Sequence, residues 1–219
     1  MLKKALVAVG LAFGLSSLAM AGPVGACSVG TMAMYLTPGF SCSIGNLTFS
    51  GFSYSSSAFG GATAIPAAGV TVTPITGAEE GFQFEAPWAV SSAQGEDSAI
   101  DYTVTATSGM INDLLLSMAG YGITDGGNVA IGETTVSPLL SLLLFDNSTG
   151  TMASDSLTGL SLTTLSVTKD IALAGNGGTA TLSIVDNEFS TSSVPEPASM
   201  LLLGTGLLAL AGYLRRRWS

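Results

Sequence analysis

Apolar and polar residues alternate with a period of two through most of the chain's interior. Ile100, Tyr102, Val104 and Ala106 are interleaved with Asp101, Thr103, Thr105 and Thr107, the pattern of a strand with one buried face. Shorter runs repeat it at Val70 and Val72, Phe82 and Phe84, Val129 and Ile131, and Ala180, Leu182 and Ile184. Between Leu47 and Tyr54 the phase slips, from Leu47 and Phe49 to Phe52 and Tyr54. Gly51 sits at the slip and predicts a β-bulge that keeps all four side chains inward. A second slip separates Leu160 and Leu162 from Leu165 and Val167. Leu139 to Phe145 is almost continuously apolar, which predicts a central strand buried on both faces.

Turn chemistry punctuates these runs at Gly60-Gly61, Asp125-Gly126-Gly127-Asn128, Asn147 to Gly150, and Gly175-Asn176-Gly177-Gly178. Many short strands, glycine-rich turns and no sustained helical stripe predict an all-β chain folded as an antiparallel β-sandwich, jelly-roll-like in character. The best helix candidate lies between the two cysteines, near Val29 to Leu36, where a short disulfide-bonded segment could cover one end of the sandwich. No fixed-period repeat suggests a solenoid or propeller.

The two ends break the pattern. Lys3 and Lys4 precede an apolar stretch from Ala5 to Leu18, and Ala19-Met20-Ala21 fits the small-x-small cleavage rule. This predicts a signal peptide over residues 1–21, handled by the Sec translocon, with a mature chain beginning at Gly22. A retained N-terminal membrane helix is the alternative, disfavoured by the short stretch and the well-placed site. At the other end, Pro195-Glu196-Pro197 precedes an apolar run from Ala198 to Leu214 and the cluster Arg215, Arg216 and Arg217. At 1.5 Å per helical residue the run is just long enough to cross a bilayer core, and its arginines favour the cytoplasmic side. The prolines cannot continue a helix, so they hold Glu196 in an extended segment at the membrane face. The expected division is therefore a signal peptide (1–21), an extracellular β-sandwich (22–190) and a C-terminal segment (191–219) whose helix spans 198–214 and basic tail 215–217.

The C-terminal segment resembles the PEP-CTERM sorting signal of Gram-negative bacteria, which places a Pro-Glu-Pro motif, a transmembrane helix and a basic end in this order. The resemblance implies recognition by exosortase, a polytopic membrane enzyme that cleaves near the motif. It further implies an inner-membrane-anchored precursor, then delivery to the cell surface or to the exopolysaccharide of a biofilm matrix. An ordinary C-terminal anchor with a chance Pro-Glu-Pro linker is the competing reading. The stretch Cys42-Ser43-Ile44-Gly45-Asn46-Leu47-Thr48-Phe49 is similar to a Cys-x-Ile-Gly-x-Leu-x-Phe pattern in secreted proteins of this kind. It implies a β-rich extracellular domain and carries over no activity.

Charge sharpens the picture once the ends are set aside. Lys169 is the only base between Gly22 and Val194, against fourteen acids, so that segment carries −13 (one minus fourteen). Nucleic acid is excluded as a natural partner, because nothing could neutralise phosphates. Acidic polysaccharide and anionic lipid are disfavoured unless divalent cations bridge the like charges. Cys27 and Cys42 are the only cysteines. In an exported protein they are expected to form a disulfide. A metal-binding or reactive thiol pair is the alternative, though the chain has no histidine to complete a zinc site.

Chemistry is sparse. Without histidine neither a Ser-His-Asp nor a Cys-His arrangement can be built, and no cofactor or catalytic residue is expected. Paired carboxylates could in principle hydrolyse glycosides, but the sequence does not reveal a pair. Glu96, Asp97 and Asp101 at the entry of one strand, and Asp125 and Asn128 around a glycine turn, offer oxygens to calcium without matching a known loop. Their ordinary role is turn geometry and solvation. Trp88 could stack on a sugar if exposed, though a tryptophan there is more ordinarily a core residue. The primary expectation is a structural or adhesive surface or matrix protein without catalytic activity. A carbohydrate-binding module is the second reading and a glycoside-active enzyme the third.

Overall fold

The structure, a computed structural model, describes residues 24–192. Both terminal segments, including the expected cleavage site at Ala19 and Ala21, the Pro195-Glu196-Pro197 motif and Arg215 to Arg217, lie outside the described residues. The first elements are β1 (Gly25–Ala26), β2 (Gly30–Thr31), the single helical turn α1 (Met32–Tyr35), β3 (Ser41–Ile44) and β4 (Leu47–Phe59). Next come β5 (Thr71–Ile75), β6 (Glu80–Ser91), β7 (Gly95–Ala106), β8 (Met110–Ala119) and β9 (Gly122–Thr124). The remainder are β10 (Asn128–Val136), β11 (Ser141–Asn147), β12 (Gly150–Met152), β13 (Ser154–Leu162), β14 (Thr164–Ala174) and β15 (Thr179–Ser192).

These strands form two sheets. One has the order β1-β3-β4-β7-β14-β10-β11-β12, and the other runs β13-β8-β15-β6-β5-β2 with β9 added beside β15. Every pairing is antiparallel except the short β1–β3 pair. The sheets bury their inner faces against one another, which is the expected all-β sandwich. Ile100, Tyr102 and Val104 of β7 point into that core, as do Phe82, Phe84 and Trp88 of β6 from the opposite sheet. Phe49, Phe52, Phe82 and Tyr102 form an aromatic cluster at its centre, with Phe49 and Phe82 centroids 4.6 Å apart. Edge-on and offset-stacked contacts of this kind add to the burial of area alone.

The bulge at Gly51 is present. Ser50 pairs with Thr103 and Ser53 with Asp101, so β4 has one extra residue there, and Gly51 takes the left-handed φ of +66°. Leu47 and Phe49 are buried, and Phe52 and Tyr54 pack against the same core. The second slip has another cause. Leu160 and Leu162 end β13 in one sheet while Leu165 and Val167 begin β14 in the other. The chain changes sheets at Thr163, which resets the inward phase without a bulge.

Two expectations change. The Leu139 to Phe145 segment is not buried on both faces: β11 lies next to the short edge strand β12, with Leu142 and Leu144 inward and Leu139 and Leu143 exposed. Continuous apolar sequence cannot by itself separate a two-sided strand from one whose outer face is bare. In β15 the inward series runs Ala180, Leu182, then Val185, Asn187 and Phe189, leaving Ile184 half-buried. The register against β6 shifts between Leu182 and Ile184, and this flips the phase that the sequence extended through Ile184.

Candidate functional site

Cys27 and Cys42 are joined by a disulfide. It straps the helical turn α1 across one end of the sandwich, beside the Cys27 N–H bond to the Ser43 carbonyl (2.9 Å). Tyr35 of α1 packs on Phe40, Phe52 and Phe82, and its hydroxyl donates to the Ser28 carbonyl at 2.6 Å. Burial pushes the Tyr35 hydroxyl up to about 12, so it remains a donor at any physiological pH. An open cleft of about 270 Å³ lies beside this end, lined by residues that include Tyr35, Phe40 and Phe52.

Trp88, the sugar-stacking candidate, is 1% exposed. Its Nε1–H donates to Ser98 Oγ at 3.3 Å, and Ser98 Oγ donates in turn to Glu96 Oε1 at 3.3 Å. Glu96 also accepts from the Ile65 N–H, while the Tyr54 hydroxyl donates to the Ile65 carbonyl at 2.7 Å. Trp88 and Glu96 thus meet in one buried network that anchors the loop around Ile65, and the indole offers no face to a sugar. Burial raises the Glu96 carboxyl above its ordinary value, partly offset by the Ile65 and Ser98 hydrogen bonds.

The calcium candidates do not converge. Glu96 points inward from β7, whereas Asp97 and Asp101 lie on its outer side, as the alternation of a strand requires. Asp101 accepts from Ser53 Oγ at 2.5 Å. Asp97 instead neighbours Asp170, whose carboxyl is raised by burial and by the Asp97 charge. Asp125 sits in the β9–β10 turn with a φ of +49°, which is turn geometry. Among the described residues no three His, Cys, Asp or Glu side chains are placed to hold a metal.

A different group of side chains occupies the middle of the core. Lys169 of β14 and Glu133 of β10 are direct cross-strand partners, both fully buried, and Lys169 Nζ donates to Glu133 Oε2. From the opposite sheet, Asn187 Nδ2 donates to Glu133 Oε1 at 3.3 Å and to the Leu115 carbonyl at 3.1 Å. The Tyr102 hydroxyl donates to Asn187 Oδ1. Burial pushes the Lys169 ammonium below its usual value, with the Glu133 charge acting the other way. Tyr102 is raised well above the ordinary tyrosine value, first by burial and then by Glu133.

By composition Lys169 stands out only as a charge, yet its position along the strand carries a signal. Lys169 continues the inward phase of Leu165, Val167, Ile171 and Leu173; Glu133 that of Val129 and Ile131; Asn187 that of Val185 and Phe189. A polar residue on the buried phase of a strand needs a partner. With Lys169 withdrawn, thirteen acids (fourteen minus Glu133) and no basic side chain remain outside this group among the described residues.

Residues 193–217 match the PEP-CTERM protein-sorting motif. The chain carries a PEP-CTERM sorting signal. That signal implies an exported protein processed by exosortase and sorted to the cell surface, and it begins directly after β15 ends at Ser192. No curated protein matches the chain. Among solved structures, the chain is similar to TmCBM61 in complex with β-1,4-galactotriose, at 8% identity and a TM-score of 0.31. The match covers 61% of this chain and 86% of that one, and it is too loose to carry sugar binding across.

Proposed function

We propose that the domain preceding this PEP-CTERM signal is a structural or adhesive component of the cell surface or exopolysaccharide matrix, and that it performs no turnover. In this reading residues 1–21 are a signal peptide removed after Sec export, and 198–214 form a transient inner-membrane anchor presenting Glu196 to exosortase. The observation that carries the proposal is the direct succession of a β-sandwich and a sorting signal, with β15 ending at Ser192 and the motif starting at residue 193. Two features support the non-catalytic part. Among the described residues, two clefts of about 270 and 300 Å³ are lined without a facing pair of carboxylates, the larger having Glu85 as its one acid. Asp170, whose carboxyl is raised by burial and by Asp97, lies with Asp97 on strand faces.

The test is the fate of the chain in its producer. Wild-type protein is expected at the surface with both ends trimmed, and Glu196→Ala is expected to leave a larger, membrane-held precursor. Loss of the surface form should weaken cohesion of the matrix. Wild-type and Glu196→Ala proteins of the same mass in the medium would contradict the sorting part. Unchanged cohesion after gene deletion would contradict the structural role.

A further inference from the structure

We propose that Lys169 and Asn187 are joined by an amide bond from Lys169 Nζ to Asn187 Cγ, formed inside the folded domain with Glu133 as proton carrier and with release of one ammonia. The inference is independent of the sorting reading, because it rests on side chains within the sandwich.

The arrangement has each part that this condensation needs. A lysine amine is nucleophilic only without its extra proton, and desolvation is the ordinary way to remove it. Lys169 is fully buried, and its hydrogen-bond acceptor among the described residues is Glu133, although an ammonium has three hydrogens to place. The electrophile is the Asn187 carboxamide, held at both ends by Tyr102 on Oδ1 and by Leu115 and Glu133 on Nδ2. Glu133 touches both nitrogens whose protonation must change: Oε2 accepts from Nζ and Oε1 from Nδ2. Tyr102 donates to the oxygen on which negative charge develops when the amine adds, the placement expected of an oxyanion stabiliser. Its hydroxyl keeps its proton, because burial holds it far above the ordinary range.

The steps balance without oxidant or metal. The Lys169 ammonium passes a proton to Glu133, and neutral Nζ adds to Cγ to give a tetrahedral centre whose oxygen faces Tyr102. Glu133 delivers its proton to Nδ2 and takes a second from Nζ. The Cγ–Nδ2 bond breaks, the carbonyl re-forms and ammonia leaves. Nζ has then lost two protons, one departing on ammonia and the other remaining on Glu133 or converting the ammonia to ammonium. The dry core excludes water, which would otherwise compete for Cγ and yield aspartate. Fixing both partners on rigid strands supplies the proximity the reaction needs. The product also removes an ion pair whose burial is costly in charged form.

The bond would cross the core, since Lys169 belongs to β14 in one sheet and Asn187 to β15 in the other. It would fasten the last strand, the one that continues into the sorting segment, to the opposite sheet.

The sequence makes the test simple. Lys169 is the only lysine or arginine between residues 22 and 194, so it is the only tryptic site in the domain. Wild-type protein, reduced and fully denatured, is expected to resist trypsin across residues 22–194 and to be one ammonia lighter than its sequence between the observed termini. Cleavage with a glutamate-specific protease should then release residues 134–188 as one internally cross-linked peptide, one ammonia lighter than its sequence, and further cleavage after Asp170 and Asp186 should give a branched peptide joining Lys169 to Asn187. Lys169→Met and Glu133→Ala are each expected to show the full encoded mass. If either variant fails to fold, the wild-type mass and peptide map decide the question alone. Wild-type protein of full mass that trypsin cuts after Lys169, or one with Asp in place of Asn187 and no branch, would overturn the proposal.

Discussion

At position 88 a tryptophan that looked able to serve as a sugar platform is a packing residue with one polar tether. Its indole fills the space between the sheets, and its N–H is satisfied by Ser98, which in turn reaches Glu96. Trp88→Ala should therefore cost about 3–5 kcal/mol, the range for deleting a large buried aromatic, as read by denaturant unfolding. A variant as stable as wild type would place the ring outside the core. Glu96 illustrates the same lesson from the charged side. Its sequence context suggested a solvated turn acid, but strand alternation turns it inward while Asp97 and Asp101 face outward. Lys169, Glu133 and Asn187 were legible as inward-phase positions, one strand at a time. Their meeting was not, because it depends on which strands of the two sheets face each other.

Among the elements, the α1 segment owes most to covalent closure. A single helical turn (Met32–Tyr35) has too few internal hydrogen bonds to persist unaided. Its position comes from the disulfide, from Tyr35 packing on Phe40, Phe52 and Phe82, and from the Tyr35–Ser28 bond. Replacing both Cys27 and Cys42 by serine should lower stability by about 3 kcal/mol for a loop of this length, measured as a lower unfolding midpoint. Sorting is expected to be unaffected, since the sorting signal at residues 193–217 lies at the opposite end of the chain. An unchanged midpoint would show that packing alone holds the cap. The strands are more legible in the sequence than this cap, as β4 and β7 show. Their period-two patterns and the Gly51 slip are local properties, whereas β11 needed its place near the sheet edge to explain Leu139 and Leu143.

For the molecule as a whole, acidity governs how stability depends on pH. The carboxyls of Glu79, Glu96, Asp170, Asp186 and Glu188 are all raised, in each case chiefly by burial, and several also by neighbouring acids. Each therefore binds its proton more tightly folded than unfolded. The stability this contributes is complete below the ordinary carboxylate value and is lost as pH rises through the raised folded value. Lowering pH from neutral toward the ordinary carboxylate range should thus raise the melting temperature, and relief of net repulsion on the −13 domain acts in the same direction. A falling melting temperature over that interval would contradict this ordering. The absence of exposed basic side chains among the described residues also means that contact with an anionic polysaccharide would require bridging cations.

The sequence alone determined the destination of this protein and its β character. A sorting signal is read as a linear peptide by its processing enzyme, and strand periodicity is written in nearest neighbours, so neither needs the fold to be recognised. Only the tertiary structure decided that Trp88 is enclosed and that Lys169, Glu133, Asn187 and Tyr102 share one dry site. Those facts are set by register and by the stacking of two sheets, which bring together residues as far apart as Tyr102 and Asn187. No local pattern encodes which inward-facing polar group will find which partner across the core.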